Sequence, residues 1–467
     1  MLMEKADISW FDQARIERLV EEGKDHSKEE ILQILAKAEL AHGLTPAEAA
    51  ILLQTEDAEV WEAIFKTARK IKEHIYGKRI VLFAPLYLSN YCVNGCTYCG
   101  YHNGSSICRR KLTQEEIAEE VRALEEMGHK RLAIETGEDP VNCPIEYVLE
   151  SIRTIYKVRE GLGNIRRVNV NIASTTVENF QKLKKVGIGT YILFQETYHP
   201  ETYAQYHPKG PKHDFAWHTS AFDRAMTAGI DDVGAGVLFG LYDYKFEVIA
   251  LLEHAAHLED AFGVGPHTVS VPRLRPAESV NRSEFPYLVS DEAFKRIVAI
   301  IRLALPYTGM ILSTRESAEF RQEVIKLGIS QVSAGSCTGV GGYAEKYKDE
   351  EAKTAQFQVN DERSPDEILR QLCEEGYTPS FCTACYRQGR TGDRFMALAK
   401  SGEIGKICAP NAILTFQEYL MDYADGETKK VGERRIQQSL SELPEEIRPD
   451  VAWRLERIRR GERDLYY

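Results

Sequence analysis

An α/β fold built on a closed (β/α)8 barrel of the TIM type is what this sequence predicts, on three observations. Eight short β-rich runs occupy the middle of the chain, helical stretches alternate with them, and glycines recur where those helices end. The runs are 80–86 (IVLFAPL), 131–136 (RLAIET), 167–173 (RVNVNIA), 190–196 (TYILFQE), 232–239 (DVGAGVLF), 267–273 (HTVSVPR), 310–315 (MILSTR) and 331–336 (QVSAGS). Between them, Met127-Gly128-His129, Val186-Gly187-Ile188, Ala228-Gly229-Ile230 and Leu327-Gly328-Ile329 each stop a helix just before a strand. The first of these helices also shows its start, because Thr113-Gln114-Glu115-Glu116 is a capping box and Ile117, Val121, Leu124 and Met127 share one face. Eight such units over about 265 residues match the usual size of a barrel whose active site lies at the C-terminal strand ends. An open doubly wound sheet is the alternative topology.

Flanking segments complete the architecture. Residues 1–75 read as an N-terminal helical extension, with Thr45-Pro46-Ala47-Glu48 as N-cap, first-turn proline and capping-box glutamate ahead of Ile51, Leu52 and Leu53. The barrel is assigned to 76–340 and a mainly helical C-terminal domain to 341–467, ending in a charged helical wrap from Glu427 to Tyr467. A chain of 467 residues, 43% hydrophobic, can bury a large core. Its formal charge of -12 repels a polyphosphate backbone, so no nucleic-acid partner is expected. No run of apolar residues is long enough to suggest a membrane span or a signal segment, and a cytoplasmic location without membrane partners is expected.

Ten cysteines, six of them at ligand-like spacings, argue for metal binding in a reducing compartment rather than a disulfide framework. The other four, Cys108, Cys143, Cys337 and Cys373, are expected to be small buried hydrophobes. Cys92, Cys96 and Cys99 form C-x3-C-x2-C in the loop after the first strand, with Tyr98 before the last cysteine. Three thiolates hold three corners of a four-iron four-sulfur cubane and leave one iron open. Zinc would want a fourth thiolate or imidazole, and only Cys108 and His102 are near in sequence.

This first motif resembles that of the radical S-adenosylmethionine (SAM) superfamily. The resemblance implies that SAM chelates the open iron through its amino and carboxylate groups, and that the cluster supplies the electron that breaks a C–S bond. Thr136-Gly137-Glu138, at the end of the second strand, resembles the superfamily's glycine-glycine-glutamate segment, which holds the SAM amino group; threonine replaces the first glycine. Tyr98 would then offer its backbone near the adenine, and Glu196, ending strand four, is a candidate for ribose or amino contacts, with a simple salt bridge as the alternative. A reactive radical demands a rigidly held substrate, and an amino-acid carboxylate is best held by a bidentate arginine. Arg315 ends strand seven and Arg273 and Arg275 end strand six, so these three are the candidate catalytic cations, against a rim ion pair as the plain reading.

Cys382, Cys385 and Cys408 form a second set, C-x2-C-x22-C, and no histidine follows His267 to complete a local zinc knuckle. A second iron-sulfur cluster with an open corner fits better. Here the resemblance becomes specific, because essentially the whole chain is similar to the HydG family, the radical SAM tyrosine lyases that mature FeFe hydrogenase. It rests on both cysteine sets and on three runs, Glu138-Asp139-Pro140-Val141-Asn142-Cys143-Pro144, Phe194-Gln195-Glu196-Thr197-Tyr198-His199 and Val271-Pro272-Arg273-Leu274-Arg275-Pro276-Ala277. The relative that makes dehydroglycine for thiazole synthesis, 2-iminoacetate synthase, resembles the barrel but lacks the C-terminal triad. The resemblance implies two clusters and SAM as cofactors, tyrosine as substrate, and cleavage of its Cα–Cβ bond to p-cresol and dehydroglycine. It further implies conversion of dehydroglycine to carbon monoxide and cyanide at an auxiliary 4Fe–4S cluster carrying an extra iron, with a cysteine-type ligand and a protein histidine. His267, at the N-terminal mouth, is the candidate for that histidine, ahead of His199 and His102, which lie at the SAM end. A hydrogenase maturation scaffold and reductant proteins are the implied partners. 2-Iminoacetate synthase and a non-catalytic iron-sulfur scaffold or carrier are the competing readings.

Overall fold

The computed structural model describes residues 6–159, 161, 163–277, 280–344 and 353–467, so the first five residues of the N-terminal extension and the start of the C-terminal segment at 345–352 lie outside the described residues. Eight parallel strands close into the expected barrel: β1 (Arg79–Ser89), β2 (Arg131–Thr136), β3 (Arg167–Asn171), β4 (Tyr191–Phe194), β5 (Val233–Gly236), β6 (Thr268–Ser270), β7 (Gly309–Leu312) and β8 (Gln331–Ser333). The hydrogen-bonded order runs from β2 through β8 to β1, and β1 pairs back onto β2, which excludes the open sheet. Most strands end earlier than their apolar runs, because beyond the last ladder bond the chain turns inward to line a cavity. The run 267–273, for example, contributes only Thr268–Ser270 to the ladder.

A ninth strand was not expected. The C-terminal segment returns a short β9 (Thr378–Ser380) that pairs parallel with the start of β1, Arg79 opposite Thr378 and Val81 opposite Ser380. Pro379 in its middle hides this strand from a sequence reading, since proline donates nothing to a ladder and is confined to edge positions. An edge is where β9 sits.

Helix ends follow the predicted chemistry with one exception. Thr45 and Thr113 close both halves of their capping boxes, and Gly128, Gly187 and Gly229 adopt positive φ. Gly328 does not; there a Cβ would lie 2.9 Å from the Cβ of Arg302, whose guanidinium donates to the Gly328 carbonyl, so close approach is what requires glycine. Four helices, Gln13–Glu22, Lys28–Ala38, Pro46–Gln54 and Ala58–Tyr76, precede the barrel. The tail helices Gly426–Glu442 and Arg448–Arg459 are charged outside but bury Ile436, Val451, Leu455 and Ile458.

The long helix Ile404–Asp422 packs under the barrel's N-terminal mouth and carries Cys408. A buried ion pair fastens it: Arg166, just before β3, lies 2.9 Å from Glu418, and both side chains are 3% exposed. Arg166 also meets Asp464 of the tail at 3.2 Å. Removing one member of a buried pair strands the other charge, so Glu418→Ala is expected to cost about 3 kcal/mol. Thermal unfolding followed by circular dichroism will read this as a lowered transition, whereas Glu445→Ala on the exposed surface will leave the transition in place.

Candidate active site at the two ends of the barrel

The loop after β1 is knitted to the barrel rim by the protein's own side chains. Asn90 is fully buried, accepts from the Arg110 amide at 2.7 Å and donates to the Cys108 carbonyl at 2.7 Å. Arg109 gathers the carbonyls of Asn90, Tyr101 and His102. Asn94 donates to Glu138 at 2.6 Å and to the Cys92 sulfur at 3.8 Å, while its oxygen accepts from the Lys212 amide at 2.9 Å. The result brings Cys92, Cys96 and Cys99 to one wall of a cavity of about 220 Å³ at the C-terminal strand ends.

Gly137 explains why the strand-two segment needs its glycine. A Cβ there would lie 2.3 Å from the Tyr91 carbonyl oxygen and 3.1 Å from the Cys92 Cβ, so the β2 end and the cysteine loop touch only because that atom is missing. Thr136, Gly137 and Glu138 all line the cavity. Burial raises the Glu138 carboxyl above its usual range, and Asn94 opposes this by donating to it.

Glu196 is buried in the same wall with a backbone φ of 70°, a left-handed conformation that a non-glycine residue adopts only when its surroundings force it. Two features hold it there. Lys212 meets its carboxylate at 2.6 Å, and Glu247 beneath accepts from the Tyr198 amide at 2.8 Å and from the Thr197 hydroxyl. Burial pushes the Glu247 carboxyl up to about 8. Tyr98 donates its hydroxyl to His207 at 2.7 Å; burial, then Lys212, pulls that imidazole down to about 3, so it stays a neutral acceptor.

The three candidate arginines separate. Arg315 lines the cavity, stacks 3.4 Å over the Phe357 ring and has no ion pair among the described residues. Arg275 also lines the cavity but is paired with Glu316. Arg273 lies outside the lining: it is held by Glu316 at 2.5 Å and Asp291 at 2.6 Å between the rings of Phe294 and Phe320, the rim ion pair of the plain reading.

Sequence reasoning missed Lys212, Asn94 and Glu135. Glu135 accepts from Asn171 at 2.6 Å, and although half-buried by surface area it is walled in by the cavity, so loss of hydration holds its carboxyl at about 8. An acidic residue closing the apolar run RLAIET was its only signal; Lys212 sits in a loop with none. Of the cysteines expected to be buried, Cys337 and Cys373 are. Cys108 is exposed and Cys143 half-buried, because both sit in rim loops rather than under a helix.

At the opposite mouth, β9 delivers Cys382, the short helix Ala384–Arg387 carries Cys385, and Cys408 comes up from the helix below. All three line a cavity of about 50 Å³ together with His267. A hydrogen bond from the Cys408 thiol lowers the Cys385 thiol and raises Cys408. His267 Nδ1 is buried without a hydrogen-bond partner, 3.5 Å from the Asp232 carboxylate, and burial lowers its pKa, leaving a neutral imidazole suited to iron. His102 and His199 lie instead at the C-terminal end of the barrel, His102 facing the Cys99 carbonyl and His199 capping the helix Pro200–Tyr206.

Each triad places three thiolates on one cavity, the donor set that would hold three corners of a cubane, each thiolate meeting its own iron.

The chain is similar to known proteins over nearly its whole length. The family model for the Radical SAM superfamily matches residues 86–255, and that for the Biotin and Thiamin Synthesis associated domain matches 270–378. A crystal structure of HydG, described as a maturase of the [FeFe]-hydrogenase, is 61% identical with a TM-score of 0.96 and covers 98% of this chain and 100% of that one. The FeFe-hydrogenase maturase HydG from Carboxydothermus hydrogenoformans is 43% identical with a TM-score of 0.83, over 95% and 97% of the two chains. The 2-iminoacetate synthase of Escherichia coli (strain K12) is 34% identical over 73% of this chain and 87% of its own. No helix among the described residues is long and apolar enough to cross a membrane.

Gly137→Val is expected to abolish iron binding at the first triad while sparing the second. Iron and sulfide content after anaerobic reconstitution will show one cluster per chain in this variant against two in the parent; two clusters in both would mean the close approach at Tyr91 is dispensable.

Proposed function

Because this chain belongs to the HydG family of radical SAM FeFe-hydrogenase maturases, we propose that it is a carbon–carbon lyase with two stations. At the C-terminal cavity tyrosine is split between Cα and Cβ to p-cresol and dehydroglycine; at the N-terminal mouth dehydroglycine yields carbon monoxide and cyanide bound to iron. The observation that carries this reading is the second thiolate triad, which shares one cavity with His267 beneath the barrel that houses the first.

A 4Fe–4S cluster on Cys92, Cys96 and Cys99 would supply the electron that cleaves bound SAM. Around it the chain's own groups divide the work. The Thr136 carbonyl and the Glu138 carboxylate accept from the SAM ammonium, and Gly137 lets both approach. Glu196 accepts from SAM's hydroxyl or amino groups, and Lys212 beside it offers the cation for a carboxylate. The Tyr98 backbone would meet the adenine. Arg315 takes the tyrosine carboxylate, since it alone of the three arginines lacks an anionic partner among the described residues. Arg275 and Arg273 act through Glu316, fixing the rim against which the substrate rests. At the lower mouth Cys382, Cys385 and Cys408 would hold an auxiliary 4Fe–4S cluster, and His267 an additional iron with a cysteine-type ligand. A maturation scaffold, a reductant protein and a cytoplasmic setting belong to the same proposal.

The second reading, 2-iminoacetate synthase, stops at dehydroglycine and leaves the second triad without a task. An iron-sulfur carrier leaves the SAM-shaped cavity without one. Anaerobically reconstituted protein given SAM, tyrosine and dithionite is expected to release p-cresol and to transfer carbon monoxide to deoxymyoglobin; tyrosine cleavage without carbon monoxide sinks the two-station reading.

Two variants refine it. Cys385→Ala is expected to keep p-cresol formation and lose carbon monoxide, and loss of both products would mean that the stations are not separable. Arg315→Lys, which keeps charge but loses the bidentate fork, is expected to raise the KM for tyrosine by about 10- to 100-fold in steady-state p-cresol assays.

A further inference from the structure

Cys99 is met from far along the chain as well as from its own loop. Within the loop, the Tyr101 amide donates to its sulfur at 3.4 Å. From 257 positions on, Gln356 donates its side-chain Nε2 to the same sulfur at 3.7 Å. Gln356 lies in the segment 353–361, beyond the last barrel strand.

That segment is a belt across the C-terminal rim, fixed at both ends and in the middle. It starts at the cysteine loop, where the Cys108 amide donates to the Lys353 carbonyl at 3.2 Å, and reaches the end of β7, where the Asn360 amide donates to the Thr314 carbonyl at 3.0 Å. Between them the Thr338 carbonyl accepts from the Gln356 amide at 3.0 Å and from the Tyr101 hydroxyl at 3.1 Å, so belt and cysteine loop share one acceptor. Gly100, directly after Cys99, completes the contact. A Cβ there would lie 2.7 Å from the Gln356 carbonyl oxygen, so the two backbones touch only because that atom is missing.

The side-chain amide is oriented as well as placed. Tyr87 is buried on β1, and its hydroxyl donates to Gln356 Oε1 at 3.0 Å. With the amide oxygen engaged, the Nε2 hydrogens face the sulfur. The reverse orientation would set a carbonyl oxygen against a thiolate, two acceptors with no proton between them. Phe357, the next residue, lies under the Arg315 guanidinium, so consecutive residues of the belt bound the cysteine side and the arginine side of one cavity.

A donor to a ligating sulfur acts unequally on the two redox states of a cluster. Reduction adds negative charge that spreads onto the thiolates, and a hydrogen bond to a more negative acceptor is stronger. Such a bond therefore raises the reduction potential.

We propose that Gln356 is a positioning residue of the first cluster: oriented by Tyr87, it donates to the Cys99 sulfur and raises the potential at which the cluster takes up the electron it passes to SAM. The proposal rests on the radical SAM reading of Cys92, Cys96 and Cys99 for the presence of that cluster.

The test uses protein carrying both clusters, poised anaerobically at graded potentials with dithionite and mediators. The electron paramagnetic resonance signal of the first cluster, identified in a parallel sample by its change on adding SAM, gives the midpoint. Gln356→Leu removes the donor and is expected to weaken one-electron reduction of the first cluster about tenfold, a midpoint about 59 mV lower, while the second cluster keeps its own. Tyr87→Phe, which leaves the amide but not its orienting hydroxyl, is expected to move the first midpoint in the same direction by less. An unchanged first midpoint in Gln356→Leu overturns the proposal. So does an equal shift of both clusters, which would mark a general loosening rather than one lost hydrogen bond. Should Gln356→Leu not retain the first cluster, Tyr87→Phe decides, and an unchanged midpoint there overturns the proposal. Failure of the radical SAM reading is separate, because the parent protein would then show no cluster signal that responds to SAM.

Discussion

Strand β1 is hydrogen-bonded to three neighbours, and both cysteine triads hang from it. Its middle closes the barrel between β8 and β2, its C-terminal end runs straight into the loop of Cys92, Cys96 and Cys99, and its first residues pair with β9, which feeds Cys382. Because the strands are all parallel, the two ends of the barrel are chemically different surfaces, and a strand shared by both ends sets them in fixed register. An element that slipped along β1 would move one triad relative to the other.

The two ends differ in charge as well as in sulfur. Glu135, Glu138 and Glu196 are offset by Lys212, Arg275 and Arg315 at the upper cavity, while Arg79, Arg131, Arg167 and Arg390 face the one carboxylate of Asp232 at the lower mouth. Each end also tolerates costs that a purely structural barrel would avoid: a left-handed Glu196 above, and buried nitrogens without hydrogen-bond partners at Arg79 Nε, Arg131 Nε, Arg390 Nε and His267 Nδ1 below. Such exceptions to local rules are where function is expected.

Much of this was legible in the chain itself. The period-two apolar runs, the capping boxes at Thr45 and Thr113 and the helix-ending glycines follow from short-range sterics and hydrogen bonding, so they can be read without knowing the fold. β9 could not, because a three-residue strand with a central proline has no pattern of its own and exists only where β1 offers an edge. Cys108 and Cys143 were misjudged for a related reason: burial of a lone cysteine depends on what packs over it. The arginines at strand ends looked equivalent in sequence, yet Glu316 claims Arg273 and Arg275 and leaves Arg315 open, a choice made by an acidic residue directly after Arg315 whose reach to β6 no local pattern reveals.

The sequence by itself determined which chemistry this protein is built for. Thiolate spacing can be read without the fold, and C-x3-C-x2-C with C-x2-C-x22-C presents two sets of three cysteines at ligand-like spacings wherever the loops lie. The tertiary structure alone decided how those sites are completed. It brought Lys212 to Glu196, Asn94 to Glu138 and His267 to the distant second triad, and it gathered four guanidinium groups around the one carboxylate of Asp232 at the lower mouth. The reason is that a charge is balanced, or not, by whatever lies within a few ångströms of it, and in a closed barrel those neighbours come from strands far apart in the chain.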